Sequence, residues 1–102
     1  MIMLVVQSVL QEELERRKRM LHFYEKEVGK FPKGSIVQKT INGNKYFYLQ
    51  HRDGKKIKTH YVPKHELPNV MRQIEERKKY QGYIKNIKKE ISFIQKALKI
   101  KV

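Results

Sequence analysis

The sequence predicts an α+β chain: a long N-terminal helix, a three-stranded antiparallel β-meander and a long C-terminal helix, with the two helices pairing as an antiparallel coiled coil. Three observations predict it. Two segments far apart in the chain carry apolar stripes of identical spacing, the stretch between them alternates apolar and polar residues around two turn signals, and Gly or Pro marks each change of pattern.

Ser8 followed three residues later by Gln11 reads as a capping box, with Glu12 and Glu13 in the first turn, where the helix dipole favours anions. A helix over 8–29 is expected. Its stripe is Leu10, Leu14, Arg17, Leu21, Tyr24 and Val28, spaced 4,3,4,3,4, with Arg17 as the one charged rung, and Gly29 with Pro32 closes it.

The C-terminal helix is expected over 66–99, with Pro63 in a short linker and Pro68 in the first turn. Tyr80, Ile84, Ile87, Ile91, Ile94 and Leu98 repeat the same 4,3,4,3,4 spacing. Equal length and equal heptad phase place the two helices side by side, Val28 near Tyr80, Leu21 near Ile87 and Leu10 near Leu98. Val70, Met71 and Ile74 lie about 120° around the helix from the later stripe. The helix therefore either kinks near Gly82 or presents two faces, the first covering the middle segment.

That middle segment, 34–62, contains runs at 35–41, 45–51 and 56–62 separated by "NGN" and "RDG". A two-residue Asp53-Gly54 loop would mix Phe47 and Leu49 with Lys56, Lys58 and His60 on one face. A three-residue Arg52-Asp53-Gly54 loop instead pairs Leu49 with Ile57 and Phe47 with Thr59, and a similar loop at Asn42 to Asn44 adds Val37 and Ile41. Burial selects this second register. The inner face is then Val37, Ile41, Phe47, Leu49, Ile57 and Tyr61, with Lys39 pointing inward on an edge strand, a way of discouraging edge-to-edge pairing. Tyr46, Tyr48, Lys56, Lys58 and His60 face outward with Gln38, Thr40 and Gln50.

The whole chain, 1–102, reads as one domain. It carries 24 Lys and Arg against 10 Asp and Glu, a formal net charge of +14. The excess is uneven: the first thirty residues are nearly balanced, whereas the stretch from Phe31 to Lys64 contains Asp53 as its single acid. Such a field favours a polyanion, or an acidic protein surface. With no cysteine, disulfides, zinc-cysteine sites and thiol catalysis are excluded, and a cytoplasmic setting is expected. The apolar opening "MIMLVV" is too short for a signal peptide or a membrane span, so no membrane partner is expected. Together with Ile100 and Val102 it would gather apolar surface at one end of the helix pair, which points to a homodimer.

No catalytic constellation emerges. His60, His65 and Glu66 are close in sequence but match no metal-site spacing, and there is no phosphate loop or nucleophile elbow. No enzyme, cofactor or metal is expected. Two tyrosines among amides and lysines on an exposed sheet do suit base stacking and phosphate contact, although cross-strand packing explains them equally well. The candidate nucleic-acid-binding set is Lys33, Lys45, Tyr46, Tyr48, Arg52, Lys55, Lys56, Lys58 and His60, with Lys39 as a further backbone contact.

The run from Phe31 to Val62, followed by "IEERKKY" and a Lys- and Ile-rich helix, resembles a family of short uncharacterised bacterial and archaeal proteins. The resemblance is carried by Pro32, Gly34 and Ser35, by Tyr46 and Tyr48, by Arg52, Gly54 and Lys55, and by Tyr61; it runs from about Leu10 to Leu98 and implies the architecture without an activity. The element order is also similar to double-stranded-RNA-binding domains, which carry a lysine cluster at the start of the last helix, where this chain has Lys64 and Arg72. The basic sheet resembles the arm-binding domains of phage integrases. The expected function is a small nucleic-acid-binding accessory protein of a phage or mobile element. The alternatives are a protein-interaction module, such as an inhibitor of a nucleic-acid-processing machine of the anti-CRISPR kind, and a coiled-coil scaffold.

Overall fold

The computed structural model describes residues 2–100, the side chains of Ile2 and Met3 excepted. Helix α1 (Ile2–Val28) is followed by strands β1 (Ser35–Ile41), β2 (Asn44–Asp53) and β3 (Lys56–Val62) and by helix α2 (Leu67–Leu98). The strands form one antiparallel sheet in the order β1-β2-β3. The expected fold class is therefore the observed one.

Helix α1 begins upstream of the expected start, so Ser8 lies inside the helix and does not cap it. A capping box marks where a helix can start. The residues before Ser8 contain no Gly or Pro, and once a helix is nucleated each further turn costs little. Leu4, Val5 and Val6 are exposed there, as is Ile100, while Met1 and Val102 lie outside the described residues. Helix α2 runs through Gly82 without interruption, and a Cβ at Gly82 would meet nothing within 4 Å. Ile74 in the first half of the helix and Ile87 and Ile94 in the second are all buried.

The chain divides into two compact units, one built from the stretch up to Gly29 and from Tyr80 onward, the other from Lys30–Lys79. In the first, α1 and α2 pair antiparallel. Leu14, Ile87 and Ile94 are buried there, and the Tyr24 ring meets those of Tyr80 and Tyr83 at 5.5 and 5.3 Å between centroids. Arg17, the charged rung, reaches Glu90 with Nε 2.8 Å from the carboxylate and approaches Glu13 at 3.6 Å. These levels agree with the expected pairing to within one helical turn.

In the second unit the first half of α2 packs beside the sheet, burying Ile74, and Val62 is buried as well. Ile36 shares a groove with Met71, Ile74, Glu75 and Lys78. The Arg77 guanidinium donates to the Phe31 carbonyl at 2.8 Å, which ties the lead-in of β1 to the helix.

Strand positions agree with expectation, but the register does not. Both hairpins close with two-residue turns. Asn42 and Gly43 have φ of 52° and 79°, the pair of positive values that a type I′ turn requires, and Gly54 (φ 63°) opens the second turn, as in type II′. Consequently Gln38 pairs with Phe47 and Ile36 with Leu49, while Phe47 pairs with Val62, Tyr48 with Tyr61 and Leu49 with His60. The three-residue loops, and the pairs Leu49 with Ile57 and Phe47 with Thr59, are overturned. Burial selects register only where a whole face is covered, and here Val62 alone among the strand residues is fully buried. Primed two-residue turns match strand twist and decide the rest.

Candidate functional site

Residues paired across an antiparallel sheet share a face, so the ladder sorts every strand side chain. One face, called the mixed face below, carries Ile36, Phe47, Leu49 and Val62 near its middle and Lys45, Lys56, Lys58 and His60 around them. The other, the tyrosine face, carries Tyr46, Tyr48 and Tyr61 with Val37, Lys39, Ile41, Arg52 and Ile57. No side chain of the tyrosine face is buried, and three that were expected inside are open: Tyr61 is 55% exposed, Ile57 58% and Ile41 47%.

This placement corrects the sequence reading at particular residues. Tyr46, Tyr48 and Arg52 do share a face. Lys56, Lys58 and His60 lie on the opposite one, because the two-residue turn reverses the assumed parity of β3. Lys45 also lies on the mixed face. Lys33 is in the loop before β1 and Lys55 is in the turn between β2 and β3. Lys39, expected inward, lies on the tyrosine face with its ammonium 5.1 Å from the centroid of the Tyr48 ring, within cation–π range.

The three tyrosines form a connected cluster. Tyr48 and Tyr61 are direct cross-strand partners with ring centroids 5.8 Å apart in an edge-to-face arrangement, and Tyr46 reaches Tyr61 at 6.4 Å. Edge-to-face packing restricts each ring, so a partner that stacks on them meets a preorganised surface. The residue missed in sequence reading is Tyr61, expected on the inner face, while Lys39 was expected as a backbone contact but on the wrong face. The signal that places Lys39 is the Asn42-Gly43 dipeptide, which specifies a two-residue turn, and the one that places Tyr61 is the two-residue Gly54-Lys55 turn between Asp53 and Lys56.

On the mixed face Lys58 pairs with Asp53 at 2.8 Å, which offsets part of its charge, and the imidazoles of His51 and His60 stack at 5.5 Å with planes 15° apart. Among the described residues no three His, Asp or Glu side chains converge as a metal site. No described helix is long and apolar enough to cross a membrane. The tyrosine face offers aromatic planes, phenolic hydroxyls and two cations, a combination suited to holding a ligand by stacking and charge.

A family model described as a domain of unknown function (DUF6788) matches residues 10–73. The match starts on α1, takes in the whole sheet and ends on the first turns of α2. No curated protein and no solved structure matches the chain. The likeness to an uncharacterised family thus holds, while those to double-stranded-RNA-binding and integrase arm-binding domains gain no support.

Proposed function

The chain belongs to the DUF6788 family, whose description assigns no activity, and from the sheet inside the matched region we propose that it binds nucleic acid on the tyrosine face. The observation that supports this reading is the cluster of half-buried Tyr46 and Tyr48 with exposed Tyr61 on one sheet face, with Lys39 above one ring, in a chain of net charge +14. Bases stack on Tyr46, Tyr48 and Tyr61. Lys39 and Arg52 contact the phosphates beside them, and Lys33, Lys45, Lys55, Lys56 and Lys58 supply the wider positive field. Stacking on an aromatic side chain contributes about 1–3 kcal/mol per base and tolerates any sequence. The field supplies salt-dependent attraction that acts on any polyanion.

Salt titrations of binding to single-stranded DNA, duplex DNA and duplex RNA test the reading. Each phosphate neutralised releases about 0.7 to 0.9 of a counterion, so log affinity should fall steeply and linearly with log salt. Tyr48→Ala should weaken single-strand binding by about tenfold at every salt concentration with the slope unchanged. Undetectable binding at low salt sinks the proposal, and so does a Tyr48→Ala variant that binds like the parent.

A second reading rests on the apolar content of the same face. Val37, Ile41 and Ile57 flank the tyrosines, and Ile41 and Ile57 are exposed. A protein partner with an acidic rim would use them directly. Ile57→Ser separates the two, since it should weaken a protein partner strongly and stacked bases little.

A further inference from the structure

The helix pair carries a surface of its own. On α1 we place Leu14, Leu21 and Val28 at heptad position a and Leu10, Arg17 and Tyr24 at d. On α2, Ile84, Ile91 and Leu98 are a, and Tyr80, Ile87 and Ile94 are d. In an antiparallel pair the g positions of both helices line one edge and the e positions line the other. From Ser8 to Val28 and from Tyr80 to Leu98, every e and b position is Gln, Glu, Lys, Ser or His, and every one is exposed. The c and g positions of the same stretches include Val9, Met20, Phe23, Tyr83, Phe93 and Ala97. One edge of the pair is polar throughout and the other is rich in apolar side chains.

That apolar edge lacks cover. Phe93 is 73% exposed, and Val9 and Phe23 each have more than half of their surface open. Two depressions open along it on either side of the Arg17–Glu90 pair, one lined by Met20, Tyr24, Tyr83 and Asn86, the other by Lys89, Phe93 and Ile94. Exposed aromatics beside depressions are the two halves of a knob-and-hole contact.

We propose that a second copy of this chain covers this edge, the two helix pairs forming an antiparallel four-helix bundle. Three considerations identify the occupant. The edge's c and g positions hold Glu13, Glu27 and Glu90 against Arg16 alone, so in a chain of net charge +14 this is the surface least suited to a polyanion or anionic lipid and least repelled by its own copy. A contact about 27 Å long across two helices about 9 Å apart covers about 500 Å² per copy, near the ~1,000 Å² total of a specific interface. The edge is also self-complementary. A two-fold axis parallel to the helices lays α1 of one copy over α2 of the other at the levels already set by the Arg17–Glu90 and Tyr24–Tyr83 contacts. Arg16 then lies level with Glu90 of the partner subunit, and Phe23 with Tyr83 of the partner subunit.

Sedimentation of the full chain tests this. The wild type should run at twice the 12.4 kDa chain mass at concentrations of about 100 µM. Phe93→Glu alters a side chain already open in the single chain, so circular dichroism should be unchanged while the dimer dissociation constant rises at least 30-fold, the scale of an interface hot spot, ~30 being the ratio equivalent to about 2 kcal/mol. Lys88→Glu on the polar edge should leave the dimer intact. A wild type that remains a single chain at that concentration overturns the proposal, as does a Phe93→Glu variant that stays dimeric. Both readouts are independent of the sheet and of any nucleic acid.

Discussion

Replacing Gly34 by alanine should destabilise the sheet unit more than any other single glycine substitution in the turns. Gly34 precedes β1 with φ of +111°, a backbone conformation that an L side chain rarely adopts. A Cβ there would lie 2.1 Å from the Gln50 carbonyl oxygen and 2.9 Å from its carbonyl carbon. Gln50 is the ladder partner of Ser35, so the obstruction is backbone against backbone and no rotamer change relieves it. The conformational strain is about 1–3 kcal/mol. Displacing the first rung of the β1–β2 ladder forfeits one or two hydrogen bonds of about 1 kcal/mol each. Together these give about 2–5 kcal/mol, a large share of the 5–15 kcal/mol that holds a typical domain. Gly54→Ala is the internal control, because φ there is +63° but nothing lies within 4 Å of the added carbon. It should cost only the left-handed conformation, about 1–2 kcal/mol. Urea denaturation read by tyrosine fluorescence, in a chain with six Tyr and no Trp, should rank the midpoints as wild type, then Gly54→Ala, then Gly34→Ala. If Gly34→Ala lost no more than Gly54→Ala, the close approach of β1 to Gln50 would be wrong.

Gly82→Ala should stabilise the chain by about 1 kcal/mol, since Gly82 sits inside α2 with open space around it, and a thermal melt should show a rise of several degrees. A double-mutant cycle with Arg17→Met and Glu90→Gln should give a coupling of about 0.5–1 kcal/mol, the exposure of Glu90 (48%) keeping it in the range of surface pairs. Lys58→Glu lies on the mixed face, so it should reduce nucleic-acid affinity and flatten the salt dependence while leaving quenching of tyrosine fluorescence at saturation intact. Tyr46→Ala combined with Tyr61→Ala should also reduce affinity, but with the salt dependence unchanged and the quenching diminished.

Most of the helical architecture was legible because it rests on long repeats. Six rungs on each helix at matched spacing fix both phase and antiparallel register, and Arg17 fits among them because Glu90 stands across from it. The start of α1 was not legible from Ser8, since a cap motif lies equally well inside a helix whose preceding residues propagate it. In the sheet the strands could be read from composition, but not the parity of their pairing. The expectation that Phe47, Leu49, Ile57 and Tyr61 share a face assumed that burial dominates. In fact the mixed face holds Lys56, Lys58 and His60 beside Leu49 and Val62, because lysines at a hairpin end reach solvent at no cost while the middle of that face carries the apolar residues.

Turn length in a meander acts as a parity switch, and here it determines what the candidate site is. Lengthening either turn by one residue would move every side chain of the outer strand to the other side. With two-residue turns at Asn42-Gly43 and after Asp53, tyrosines from β2 and β3 converge with Lys39 from β1, whereas three-residue turns would have dispersed them. The same parity spreads the remaining lysines over the mixed face and the turns. Charge and stacking are therefore separated in space: the positive field belongs to the whole sheet, and aromatic contact belongs to one face. Binding that uses both must respond to salt through the first and to tyrosine substitution through the second, with little coupling between the two. A strong dependence of the Tyr48→Ala effect on salt would mean that the aromatic cluster serves only to hold the sheet.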